Sequence, residues 1–291
     1  MSRSIDPPMR SRIATSATYS EAALVSERAP GREDASALEP RADLVRPRWW
    51  RELALLGVVH FLYSVVRNAV PFHITTAVDN AHDILGAERL VGIDIEHRLN
   101  RLVASIQLLA VSANYFYATL HFVVTLTVLL WLYVARPRYY RRARSVLVGM
   151  TVLALAGYWL YPLAPPRLMP DEGFVDTVHA FGIWGLAPSE IVASTSNQYA
   201  AMPSMHVGWA LWAGAALILY AKRPQVRLLG VAYPFLTLLL VIVTANHFVL
   251  DAVGAAIAFT LAIGFVAVTA RDEPGLRLAS ASRAPTRRAT T

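Results

Sequence analysis

The sequence predicts an all-α polytopic membrane protein, a bundle of six transmembrane helices with one amphipathic helix lying in the interface. Three observations point there. Of the 291 residues 55% are hydrophobic and only 16% charged, and the mean hydropathy is +0.41, whereas a water-soluble globule carries charge on about a quarter of its residues. Six apolar segments of near-spanning length follow one another from residue 53 onward. The basic residues collect in alternate links between those segments, the pattern that sets orientation in a bilayer. The same composition excludes a disordered chain, which cannot carry so much apolar surface. Without cysteine, disulfide frameworks, thiolate nucleophiles and Cys-ligated metal sites are excluded as well.

The elements follow in order. Residues 1–50 are polar, rich in Arg, Ser, Ala and Pro, and have no apolar stretch of signal-peptide type; they read as a disordered cytoplasmic tail. Residues 51–270 form the membrane domain, with spans at 53–70, 113–134, 145–163, 203–221, 228–245 and 247–269. Most approach the roughly 20 residues needed to cross about 30 Å of hydrocarbon. The first is short and polar, with His60 and Arg67 inside it. Segment 84–104 is too charged to span. Its Leu85, Val91, Ile95, Leu99 and Leu102 recur at helical spacing, which predicts an anchor lying in the outer interface. Residues 271–291 form a second disordered cytoplasmic tail. No internal repeat of the kind that builds inverted-repeat transporters is visible.

Charge sets the orientation. The 136–144 link holds five Arg and no acid, and the 222–227 link holds Lys222, Arg223 and Arg227. Segments 71–112 and 164–202 are net acidic, with three Arg against five acids and one Arg against four. Both termini therefore face the cytoplasm, and the acidic segments face outward. The net charge of +7 is an orientation signal, with anionic lipid as its partner and no nucleic acid.

Three outward places carry polar groups. Tyr161-Pro162-Leu163-Ala164-Pro165-Pro166-Arg167 closes the third span, Ala201-Met202-Pro203-Ser204-Met205-His206 opens the fourth, and Asn246-His247-Phe248-Val249-Leu250-Asp251 opens the sixth. Pro203 suits the first turn of a helix, whose N–H groups, with the Ser204 hydroxyl, attract an anion. His206 in that turn can give a proton to a leaving oxygen. His247 and Asp251, four apart, share one helix face. The carboxylate can fix the imidazole tautomer and leave the other nitrogen as a nucleophile. Arg167 offers a planar charge for two parallel bonds to phosphate. Such a set suits phosphoryl transfer through a phosphohistidine, with no metal or other cofactor needed.

These residues resemble the type 2 phosphatidic acid phosphatase superfamily of integral membrane enzymes over about residues 53–270. Pro203-Ser204-Met205-His206 matches its Pro-Ser-x-His motif, and His247 to Asp251 matches the end of its third motif. The resemblance implies six transmembrane helices, an active site at the outer face of the cell membrane, His247 as nucleophile, Asp251 as its partner and His206 as leaving-group acid. Arg167 and Ser204 are expected to hold the phosphate of a membrane lipid. Two family cations are missing: Val241 stands where the third motif has Arg, and Leu160 where the first has Lys. In that respect Tyr161 to Arg167 and Asn246-His247-Phe248 look more like the inositol phosphorylceramide synthase branch, which transfers a phospho-head-group to an alcohol. Glu88-Arg89-Leu90-Val91-Gly92-Ile93 with Glu96 is similar to bacterial members of that branch.

Other polar residues are expected to be ordinary. His60 and His121 are packed or hydrogen-bonded, while His73, His82, His97 and His179 face solvent. Trp49, Trp50, Tyr115, Tyr117, Tyr158 and Trp159 are aromatic-belt residues. Arg67 either replaces the cation missing at Val241 or pairs with an interfacial acid, Asp94 or Glu96. A proton-coupled transporter and a silent lipid-binding relative are the rival readings. Oligomeric state leaves no mark in the sequence.

Overall fold

The computed structural model describes residues 46–69, 74–182 and 197–271; His73 and nearly all of both expected tails lie outside these. The helices are α1 (Trp49–Ala69), α2 (Ile74–Val91), α3 (Glu96–Ala104), α4 (Gln107–Ala135), α5 (Pro137–Leu160), the single turn α6 (Thr177–Ala180), α7 (Met205–Tyr220), α8 (Pro224–Val243) and α9 (Val249–Arg271). Among the described residues no strands pair beyond one isolated bridge between Leu163 and Ala200. The all-α membrane architecture is the one the composition predicts. Each of the six apolar segments is a helix, although only α4, α5, α8 and α9 are long and apolar enough alone to cross a bilayer. α1 qualifies when joined to α2. The 16 residues of α7 extend about 24 Å, short of the hydrocarbon thickness.

The bundle is built as a lipid-facing protein must be. Leu126, Leu130, Phe235 and Phe265 are more than 60% exposed, while the centre is lined by small residues, among them Ala154, Ala210, Ala213, Ala216 and Ala258. Lipid tails are as apolar as leucine, so close helix contact comes from small side chains. The tightest approach is between α7 and α8. A Cβ on Gly230 would lie 2.8 Å from the Gly214 carbonyl oxygen, and one on Gly214 would collide with the Gly230 carbonyl and with Pro234. Pro234, inside α8, has no N–H for that Gly230 carbonyl.

Polar contacts define two ends. At one, Glu52 of α1 is buried and accepts from Arg144 Nη1 at 2.6 Å and from the Tyr140 hydroxyl at 2.9 Å. There Arg136 Nε donates at 2.9 Å to the carbonyl of Tyr220, the last residue of α7, where a cation complements the helix dipole. The three motif segments gather at the opposite end.

The interfacial segment departs from expectation. The predicted helix over 84–104 is two helices, broken at Gly92, whose φ of +73° is a left-handed conformation that glycine adopts without strain. Val91, Ile95 and Leu102 are exposed, as an interfacial anchor requires, but Leu85 is buried and Leu99 half-buried. Unexpectedly, Glu88, Glu96 and Asn100 are completely buried and turn into the protein. Among the other expectations, His60 is exposed, His121 is packed as anticipated, and His82 is half-buried between Asp171 and Glu172 on α2.

Candidate active site

α7 begins one step later than its proline suggested. Ser204 is the N-cap, and its hydroxyl oxygen accepts from Val207 N at 3.4 Å; Pro203 therefore precedes the helix instead of opening it. His206 is the second helical residue. At a helix start such as this the first N–H groups lack intrahelical partners. Ser204 N donates to the Asp251 carbonyl at 3.1 Å, a backbone bond that joins the second motif directly to the third.

His247 is not on a helix, contrary to the shared-face expectation. It lies in the turn between α8 and α9, where Ala245 has a φ of +52° and both Asn246 N and His247 N donate to the Val241 carbonyl. The pairing survives by another route. Asp251, the third residue of α9, reaches back. Its Oδ2 accepts from Phe248 N at 3.0 Å and lies 3.0 Å from His247 Nδ1. A first-turn carboxylate bonding back to an N–H before the helix is the logic of a capping box. Asp251 is completely buried and His247 nearly so. With Nδ1–H donated to the carboxylate, Nε2 is the nitrogen left free.

The His206 ring faces that of His247 with centroids 5.8 Å apart. It is held by two rings of α4, Tyr117 stacked at 4.1 Å and His121 at 4.0 Å. His121 is fixed in turn by its Nδ1 and the Tyr117 carbonyl at 2.9 Å.

Arg167 is anchored beside the same turn. Its N–H donates to the Ala245 carbonyl at 2.8 Å. Its guanidinium donates to Asn246 Oδ1 (3.1 Å), Asp176 Oδ2 (3.2 Å) and Gln198 Oε1 (2.7 Å). Asp176 also caps α6 through its other oxygen. Three of five donors are thus engaged, which fixes the plane of the fork. Arg67, at the end of α1, donates to the Asn197 carbonyl at 3.1 Å, while its Nε is buried without a partner. It makes no ion pair with Asp94 or Glu96. Val241, in the missing cation's position, is completely buried in an apolar cluster.

The start of α9 is secured from outside. Glu96 Oε1 accepts from Val249 N and Glu88 Oε1 from Leu250 N, each at 2.7 Å. With Asp251 on Phe248 N, three consecutive N–H groups each end on a carboxylate. Asn100 of α3 bonds the Val243 carbonyl at 3.1 Å and both backbone groups of Val175.

His247, His206, Asp251, Arg167 and Ser204 therefore meet at one end of the bundle. Tyr117 was read from sequence as an aromatic-belt residue, Glu88 and Glu96 only as part of an interfacial segment, and Asp176 and Gln198 left no signal. No curated protein and no solved structure matches the chain. A family model described as PAP2 superfamily matches residues 82–265. That match is more than half of the sequence and holds every one of these residues, so the chain belongs to the PAP2 superfamily.

Proposed function

We propose that this protein is a membrane phosphatase or phosphotransferase that works on a lipid phosphate through a phosphohistidine, at the extracytoplasmic face. Superfamily membership supports the reaction class. The observation that carries the mechanism is the His247–Asp251 pair facing His206 across 5.8 Å. His247 Nε2 attacks phosphorus, forming an N–P bond as the P–O bond to the lipid breaks. His206 gives its proton to the departing oxygen. The acceptor oxygen then attacks phosphorus and loses its proton to His206, and the N–P bond breaks. Arg167, the Ser204 hydroxyl and the first turn of α7 hold the phosphate oxygens, and Arg67 supplies the second cation in place of position 241. Positioning and charge stabilisation carry most of such a transfer.

A lipid substrate is supported by an apolar groove of about 410 Å³ beside Pro203, lined by Ile84, Leu153, Met202, Gly254, Ile257 and Leu261. Replacing His247 by Ala should abolish both turnover and an acid-labile phosphoenzyme. Full activity in that variant would remove His247 from the mechanism.

The uncharged, packed Val241 favours a second reading, transfer of a phospho-head-group to an alcohol such as inositol, as in the inositol phosphorylceramide synthase branch. Purified protein given labelled phospholipids with and without inositol separates the two. Free phosphate marks a phosphatase, and a new phosphorylated alcohol marks a transferase.

A further inference from the structure

Glu88 and Glu96 lie on different helices, α2 and α3, yet both are completely buried. Each spends one oxygen on a backbone N–H of the first turn of α9, and each has its other oxygen, Oε2, buried with no donor. Those N–H groups belong to consecutive residues, Val249 and Leu250, so the two carboxyls lie side by side. The charges that reach Glu88 are those of Glu96 and Asp251, both acids, while the neighbouring Arg89 turns away to Glu172 at 2.6 Å. Two ionised carboxylates in contact without a cation are untenable in a buried place; one proton between them satisfies both orphaned oxygens. In agreement, burial and the Glu96 carboxyl push Glu88 up to about 9 from an ordinary 4.5.

We propose that Glu88 and Glu96 share a single proton and, as a hydrogen-bonded acid pair, hold the first turn of α9 so that Asp251 presents His247 to the substrate phosphate. The role rests on the phosphohistidine reading above. These are positioning residues, since neither touches the reacting atoms. The arrangement has a second consequence. With the N–H groups of Phe248, Val249 and Leu250 all taken by carboxylates, α9 offers no anion site, and the phosphate is left to the start of α7.

A shared proton makes an unusual demand on amide substitutions. In Glu88→Gln the amide oxygen still accepts from Leu250 N, and the amide N–H donates to the Glu96 carboxylate without any proton being needed. Glu96→Gln works in the same way. In the double variant two NH₂ groups face each other, and relief by flipping one amide gives up a bond to α9. The single variants should therefore keep kcat within about threefold of wild type, and the double variant should lose about 10- to 100-fold in kcat with KM little changed. Packing alone would not make two harmless changes harmful together. Difference infrared spectroscopy on the purified full chain adds a readout independent of turnover. The carbonyl band of a buried protonated carboxyl should be present in wild type at neutral pH and absent from both single variants. No such band in wild type, single variants as impaired as the double, or a double variant as active as the singles would each overturn the pair. Wild-type protein that forms no phosphoenzyme and releases no phosphate would instead sink the phosphohistidine reading, and the infrared band would still decide the shared proton. That band also decides if the double variant fails to fold.

Discussion

Asp251 puts one oxygen to two uses. Oδ2 serves both His247 Nδ1 and Phe248 N, while Oδ1 is buried with no partner. An Asn oxygen in the place of Oδ2 still accepts both donors and keeps the tautomer, but it is neutral. It cannot balance the positive charge that His247 gains when Nε2 bonds phosphorus, and an amide turned the other way sets its NH₂ against the Phe248 N–H. Asp251→Asn should therefore lose about 10²- to 10⁴-fold in kcat, read by steady-state release of phosphate, with vanadate still bound. Arg67 argues differently. A buried Nε without an acceptor is a donor held for something that arrives. Arg67→Ala should weaken vanadate inhibition by about tenfold, the worth of a charge-assisted bond, and Lys should restore only part of it because an ammonium lacks the planar fork. An unchanged vanadate constant would return Arg67 to a purely structural role. At this scale the motif residues were legible in sequence, because Ser, His, Asp and Arg have few reasons to sit at apolar segment ends. Tyr117 was not. An aromatic residue in an apolar helix reads as belt or core, and its stacking on His206 depends on how α4 is rotated.

The helices themselves were legible as apolar runs, and their start points were not. α9 starts two residues after His247, since the chain must first make the Ala245 turn that places Arg167 N on the Ala245 carbonyl. α2 and α3 were hidden because charge next to a membrane normally marks exposure, whereas here Glu88, Glu96 and Asn100 point inward as partners for backbone groups of other segments. That burial carries a pH signature. A carboxyl near 4.5 when unfolded and about 9 when folded binds more protons in the folded state between those values. Its favourable contribution is complete below 4.5 and is lost as pH rises through 9. Wild-type thermal midpoints should thus fall across that window more steeply than those of Glu88→Gln, measured in detergent. Parallel curves would deny the linkage. The α7–α8 contact makes a separate demand. Gly214→Val puts carbon into the Gly230 carbonyl and Pro234, both of them backbone or ring atoms that cannot swing aside. It should cost about 1–3 kcal/mol by overpacking and lower the melting temperature, whereas the same change at Gly264, where nothing lies within 4 Å, should be nearly silent.

Over the whole molecule the charge divides by end. Five Arg in 136–144 and three cations in 222–227 lie at the end opposite the site. Segments 71–112 and 164–202, whose described parts flank the site, carry nine acids against four Arg in the sequence. A phosphate arriving there finds few cations, so its binding depends on a few local donors, Arg167 and Arg67 first among them. Cations near helix ends are retained on the cytoplasmic side, so the proposed orientation predicts the α4–α5 and α7–α8 links inside and the site outside. The absence of cysteine makes this simple to test, because any single Cys is the sole target of a thiol reagent. Gln225→Cys, exposed at the start of α8, and His179→Cys, exposed at the end of α6 beside the site, each keep every Arg and Lys that sets orientation. A membrane-impermeant maleimide added to intact cells should label His179→Cys and spare Gln225→Cys until the membrane is opened. The reverse pattern would turn the bundle over and place phosphate release in the cytoplasm. Such a protein would draw on a different lipid leaflet while keeping every contact of the His247–Asp251–His206 set.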